Sequence, residues 1–428
     1  MSAPPPHTHP AAADRTVYGK RVVRTTVALL FAAWLIDYVD RLAINLVLPS
    51  IGKEFHLAHG QQGLIVSAFF LAYALSQIPG GMLADRFGAR RVTTWALLAW
   101  SLFTALTGFA WSFAALLVVR FAFGAAEGVF PPASMKVLVE RTTPEERMGA
   151  NGLIMSSNAI AAVLTPLAIA PLITVFGWRS AFFSTAALGV FVVVAIRVWL
   201  PDPVPRAEPE ISEERSSVRD VLRIGVLWRF AAMMFGYNVI AWGLTTWVPS
   251  YLSEQRGVPL TSAGALLALP AVAAAGATIL GGRLSDRLGG NHRKVIVPGM
   301  AVAAIALPLM AFSSSLTGFA VFSTLAIFSA SLAYMPIFAV PLRGLPPACV
   351  GVGSAVIVFG GQVAGMVVPP LMGVISDVFS FEIAFSVLVL GAVIAALMAV
   401  VTPQDSDSFR AALGTASPIR PINETEQS

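Results

Sequence analysis

Apolar runs of roughly twenty residues recur from end to end of this sequence, each cut off by a short charged or Pro/Gly-rich break, and that repeat dictates the solvent in which the chain folds. A hydrocarbon layer about 30 Å thick is crossed by about 20 helical residues rising 1.5 Å each. Lipid offers backbone N–H and C=O groups no partner, so each span must be a helix that satisfies its own hydrogen bonds. Cutting at the breaks gives twelve spans, at 27–50, 62–84, 92–110, 113–138, 148–174, 179–199, 229–252, 261–283, 295–313, 317–340, 350–376 and 381–402. With 56% hydrophobic and 12% charged residues, against about 25% charged in soluble domains, a water-soluble core would leave too much apolar surface uncovered. The expected fold is an all-α membrane protein of twelve transmembrane helices.

The first run holds Asp37, Asp40 and Arg41 and follows a polar arm with no small-residue cleavage site, so it is expected to persist as a span. The positions of the basic residues say more than the net charge of +5. Arg15, Lys20, Arg21, Arg24, Arg86, Arg90, Arg91, Arg141, Arg147, Arg206, Arg215, Arg219, Arg223, Arg287, Arg293 and Lys294 fall in the tail or in loops on one side, and only Lys53, Arg179 and Arg256 on the other. The positive-inside rule then places both termini and the central loop in the cytoplasm, and the location expected is a bacterial inner membrane. The same distribution argues against nucleic acid as a partner. The lone Cys349 offers no disulfide or thiol metal site, and the five histidines, at 7, 9, 56, 59 and 292, lie in the tail or loops, against a histidine proton relay within the membrane.

The polar segment PDPVPRAEPEISEERSSVRD divides the spans into two sets of six. The organisation expected is a tail at 1–26, a six-helix bundle at 27–199, a linker at 200–228, a second bundle at 229–402 and a tail at 403–428. Residues 212–223 of the linker suit either a solvated segment or a short interfacial helix. The halves share a string. GMLADRFGARR, with Gly81, Asp85, Arg86, Gly88 and Arg90, follows span two; GRLSDRLGGNHRK, with Gly282, Asp286, Arg287 and Gly289, follows span eight. A copy 201 residues on, from Asp85 to Asp286, at the matching loop is an internal repeat and implies a pseudo-twofold axis along the membrane normal.

These loops resemble the signature of the major facilitator superfamily, which implies two pseudo-symmetric six-helix bundles and alternating access. A carboxylate at a helix end can face the positive N-terminal end of a helix from the other half. On that reading Asp85 faces the start of span eleven and Asp286 the start of span five, with Gly81, Arg86, Arg90 and Arg287 completing a cytoplasmic gate. The simpler reading is that the basic residues only set topology.

Ionisable groups within hydrocarbon cost several kcal/mol, from about 2.5 upward, so each is a functional candidate. Span one carries Asp37, Asp40 and Arg41, span four carries Arg120 and Glu127, and the middles of the last six spans carry none. Coupling chemistry is therefore expected in the N-terminal half. The helical rise sets Asp40 at a depth similar to Arg120, so an ion pair between them is feasible, and RFAFGAAEG sets Arg120 and Glu127 two turns apart beside Gly124 and Gly128. Three acids against two arginines leave at least one acid cheaper to protonate than to keep charged. If Arg41 holds a carboxylate and protonation of Asp40 or Glu127 relieves competing pairs, proton and anion binding assist each other, which is the thermodynamic content of symport.

YVDR at 38–41, SAFFLAYALSQIPGG at 67–81, RFAFGAAEGVFPP at 120–132 and YNVIAWGLTTWVPSYL at 237–252 are similar to motifs of the anion:cation symporter family, which includes hexuronate, galactonate and phthalate carriers. The resemblance implies that Arg41 contacts a small organic carboxylate, that Asp40 and Glu127 couple protons and that Arg120 partners an acid. It implies no other cofactor, with sodium an alternative to protons, and a monomer in the lipid bilayer. Tyr38 and Tyr73 would line the cavity, Trp242 and Trp247 would close it, and Asn158 and Gln362 are the remaining polar candidates; Trp247 suits an interfacial anchor equally well. VFGGQ at 358–362 departs from the NFxGN of several sugar-acid carriers, which leaves room for a smaller or aromatic acid.

GVGSAVIVFGG lacks the third glycine and the preceding strand of a dinucleotide loop. Asn423, Glu424 and Thr425 form a glycosylation triplet in a tail expected to be cytoplasmic. No nucleophile or metal cluster points to an enzyme. A proton-driven exporter is the rival within transport, and NGLIMSSNAIAAVLTPLAIAP, which lacks a Gly-Pro pair, speaks against it. A membrane sensor is the rival outside transport.

Overall fold

The computed structural model describes residues 19–201, 203 and 218–414, all helices and short turns. The N-terminal tail before residue 19, residues 202 and 204–217 of the linker and the Asn423 triplet lie outside the described residues. The N-terminal half contains α1 (Lys20–Phe55), α2 (His59–Phe87), α3 (Ala89–Gly108), α4 (Phe113–Val139), α5 (Pro144–Met155), α6 (Ser157–Phe176) and α7 (Arg179–Trp199). After the linker come α8 (Val218–Leu222), α9 (Gly225–Glu254), α10 (Leu260–Arg287), α11 (Arg293–Ala311), α12 (Leu316–Ser331), α13 (Tyr334–Gly344), α14 (Pro347–Val378), α15 (Phe381–Val387), α16 (Val389–Val401) and α17 (Ser406–Gly414). Ten helical stretches are long and apolar enough to cross a membrane. The expected third and seventh spans are α3 and α9, whose 20 and 30 residues also suffice in length.

Three expected spans are broken by a turn, for local chemical reasons. Between α5 and α6 the hydroxyls of Ser156 and Ser157 donate back to the carbonyls of Leu153 and Ile154 at 2.7 and 2.6 Å, competing with the backbone ladder. Between α12 and α13, Pro336 has no N–H to offer the Leu332 carbonyl, which lies instead against Gly281 of α10. The last span divides at Leu388 between α15 and α16.

Apolar side chains gather into two large cores, one drawn from α1–α7 and one from α8–α17, and Trp242 packs against both. Across the halves, α2 lies on α14, α6 on α10 and α1 on α9. The closest approaches fall at the end that carries His59. A Cβ at Gly63 would stand 2.5 Å from the Pro369 carbonyl and the Pro370 nitrogen, so only hydrogen lets these backbones meet. Within the N-terminal half Gly128 does the same for α4 against the Tyr73 carbonyl of α2, and that contact sets the depth at which Glu127 enters the core. At the opposite end, Gly88 and Gly289 turn the two copies of the repeated loop at φ 87° and 69°, a region that favours glycine.

Candidate functional site

The charges of spans one and four converge. Asp37 and Arg41 stand four residues apart on α1, hence on one helical face, and Arg41 Nη2 donates to Asp37 Oδ2 at 3.2 Å. From α4, Glu127 presents Oε1 to Arg41 Nε at 2.9 Å and also accepts from Nη2. Asp37 and Glu127 are fully buried and Arg41 is 8% exposed. Three rings surround the guanidinium, Tyr73 at 4.7 Å, Phe69 at 5.3 Å and Tyr38 at 5.4 Å from its carbon. Among the described residues, the buried acids are Asp37, Asp40 and Glu127 alone.

The Asp40–Arg120 ion pair that equal depth makes feasible does not form. Asp40 accepts a hydrogen bond from Thr104 of α3, and Arg120 is fully buried with none of its three guanidinium nitrogens hydrogen-bonded. Its guanidinium lies 4.4 Å from the Phe123 ring and 5.7 Å from Phe69. Equal depth on two helices does not give side-chain contact, because Asp40 leans toward α3 while Arg120 lies along its own helix over an aromatic face. The pair that forms, Arg41 with Glu127, needed knowledge of which faces of α1 and α4 look at one another.

Of the other candidates, Tyr73 is buried against Arg41, and Tyr38 shares a side-chain hydrogen bond with Asn158 of α6. In the C-terminal half, Gln362 carries a buried Oε1 without a donor, and Trp242 meets Phe70 of α2 across the halves at 4.6 Å. Trp247 is fully buried, its indole donating to the Pro369 carbonyl at 3.0 Å, which fits an interior seal rather than an interfacial anchor. On α14, Gly361 faces Asn238 and Gly365 faces Phe70 of the other half.

Among the described residues, the carboxylates of the two repeated loops pair within their own halves. Asp85 pairs with Lys136 at the end of α4 at 2.6 Å, and Asp286 with Arg343 at the end of α13 at 2.6 Å. Both carboxylates are largely exposed, at 75% and 68%. Span eleven and span five therefore do not receive them in this arrangement. Gly81 is half-buried, Arg86 is exposed over the Phe87 ring, Arg90 donates to the Arg197 carbonyl at 2.9 Å, and Arg287 is exposed.

Besides the Ser67 hydroxyl of α2 donating to the Met366 carbonyl of α14, the bonds between halves lie at the other end, on a residue set aside by the sequence. His59 opens α2 with Nδ1 2.7 Å from Asp377 of α14 and Nε2 2.8 Å from Glu254 of α9. Asp377 also accepts from the backbone N–H groups of His59 and Gly60, at 3.0 and 2.8 Å, and so caps a helix of the opposite half. The ring meets Phe381 and Trp247 edge-on at 4.9 and 5.6 Å. Thr104, Lys136, Arg343, His59, Glu254 and Asp377 were all missed by sequence reasoning. Each is an ordinary polar residue, at a helix end or within a span, whose partner is 50 to 320 residues away.

Residues 29–368 match the model of the Major Facilitator Superfamily. The "Probable sulfoacetate transporter SauU" of Cupriavidus necator is 29% identical over 83% of this chain and 87% of its own length. The "Probable galactarate/D-glucarate transporter GarP" of Escherichia coli strain K12 is 28% identical, over 83% and 89%. Among solved structures, a bacterial homolog of the human lysosomal transporter Spinster superposes with a TM-score of 0.78 at 19% identity, covering 93% of this chain and 98% of that one.

Proposed function

The chain belongs to the Major Facilitator Superfamily, and from that premise we propose that it takes up a small organic acid together with protons, by alternating access, across a bacterial inner membrane. Its relatives are named as organic anion transporters, and the family is one of transporters rather than enzymes. The observation that carries the finer reading is the buried cluster of three acids and two arginines in one half of the bundle.

In this reading Arg41 is the anion site. Its planar fork matches a carboxylate or sulfonate, and the rings of Tyr38, Phe69 and Tyr73 keep water from weakening the contact. Glu127 occupies that fork while no substrate is bound, so an incoming anion must displace a carboxylate. A displaced carboxylate left in a low dielectric is costly unless it takes a proton. Anion binding is thereby linked to the protonated state of Glu127, and the linkage acts in both directions. Bringing a monovalent anion into an inside-negative cell costs about 2.3 kcal/mol per 100 mV, and one accompanying proton cancels that cost.

The end carrying Asp85 and Asp286 is taken as cytoplasmic, from the basic loops, and the His59 end as outer. With the outer end held by His59 and the loop carboxylates Asp85 and Asp286 each paired within its own half, the arrangement fits an inward-facing state. Reconstituted vesicles loaded at pH 7.5 and diluted to pH 6 test the reading, with radiolabelled sulfoacetate and galactarate as probes. Arg41→Ala abolishes uptake, since removing one partner of a buried charged pair costs about 2–5 kcal/mol. Glu127→Gln still exchanges labelled for unlabelled anion but does not accumulate it against a gradient. Undiminished accumulation in both variants refutes the assignment.

A further inference from the structure

We infer that Asp37 and Glu127 hold one proton between them on Arg41, a resident proton that lets Glu127 leave the arginine as a neutral acid when the anion arrives. This deepens the uptake reading and rests on it. Both carboxylates converge on the same nitrogen, Nη2 of Arg41, so the two acids are next to each other. Each turns one oxygen, Oε1 of Glu127 and Oδ2 of Asp37, to the guanidinium. Each also keeps one oxygen, Oδ1 of Asp37 and Oε2 of Glu127, that is fully buried with no donor. A carboxylate oxygen shut away from water without a hydrogen bond costs on the order of 1–3 kcal/mol or more. One proton placed between these oxygens satisfies both, since the protonated oxygen donates and the other accepts.

The charges around the pair point the same way. From α1 it faces Arg41, Asp40 and the Tyr38 hydroxyl, from α2 Tyr73, and from α4 Arg120; the α3 neighbour Thr104 is spent on Asp40. Three acids and two arginines sum to −1 in a core with no exposed member, and a single proton makes the cluster neutral. Asp40 also keeps one buried oxygen, Oδ1, without a donor, but it stands apart with Thr104 on its other oxygen, whereas Asp37 and Glu127 meet on Arg41, where one proton serves two oxygens. Asp37 cannot leave Arg41 readily, being fixed one turn away on the same helix. Glu127, on another helix, can. When an anion approaches, the shared proton moves wholly onto Glu127, and the N–H groups of Nε and Nη2 pass from Glu127 Oε1 to the anion oxygens. No charged carboxylate is stranded.

Infrared difference spectroscopy on the purified, ligand-free full-length protein at pH 7 tests this, with no substrate required. Wild type is expected to show one buried protonated carboxyl band that resists exchange with the solvent. Asp37→Asn and Glu127→Gln are each expected to lose it, while the charge-keeping Asp40→Glu leaves its frequency unchanged and Asp37→Glu retains it at a shifted frequency. A band that survives Asp37→Asn, or that shifts in Asp40→Glu, overturns the inference, as does its absence from folded wild type. Asp37→Glu keeps the acid, so loss of the band in Asp37→Asn alone is not a folding defect. Failure of labelled-anion uptake with the band present would sink the uptake reading and leave the shared proton standing.

Discussion

Replacing His59 by Phe removes both bonds that its ring makes across the halves while keeping an aromatic ring against Phe381 and Trp247. Both ring nitrogens of His59 sit on carboxylate oxygens, and only an imidazolium supplies two N–H donors. A charge-assisted bond is worth about 1.5–3 kcal/mol when buried and about 0.2–1 when exposed. His59, Glu254 and Asp377 are 21%, 19% and 27% exposed, so about 1 kcal/mol per bond is the appropriate scale. The variant then loses about 2 kcal/mol from the state closed at this end, a roughly 30-fold shift toward the open one. Spin labels at Lys53→Cys and Phe379→Cys in a Cys349→Ala background read the distance between the halves by double electron–electron resonance. The open population is expected to rise in His59→Phe at pH 6 and to lose its dependence on pH between 6 and 8. Wild type opens as pH rises, because a neutral ring keeps one donor of the two. Superimposable distance distributions for the two proteins at pH 6 would refute the reasoning.

His292 precedes α11, buried against Phe230, and burial pushes its ring down to about 4, outweighing the Ala399 carbonyl that favours the charged form. The ring's contribution is therefore fully present above about 6.5 and lost as pH falls from there through about 4, at most about 3 kcal/mol. The thermal unfolding midpoint is expected to fall less steeply over that window in His292→Phe; equal slopes would count against it. A Cβ at Gly360 would press on the backbone of Ala231, whereas one at Gly351 meets nothing within 4 Å. Gly360→Ala is expected to lower the unfolding midpoint, at a cost of about 1–3 kcal/mol, and Gly351→Ala to leave or raise it. Equal effects would show that α9 and α14 are less tightly packed than the glycine requires.

The spacing of apolar runs, the doubled GxxxDR loop and the sparse charges of spans one and four made the membrane fold and the N-terminal location of the buried charges legible. Those properties are local: hydropathy, repeat and the price of charge in lipid act on each segment wherever it packs. Pairing is not local. The choice of Glu127 over Asp40 as a cross-helix partner, and of Lys136 and Arg343 over the opposite half for Asp85 and Asp286, follows from helix rotation and from which end is closed. His59 shows this most clearly, for a loop histidine acquires its role only when Glu254 and Asp377, 195 and 318 residues further on, arrive beside it. The sequence by itself determined which charges enter the membrane; the tertiary structure decided which of them meet, because that depends on the rotation and tilt of each helix against its neighbours.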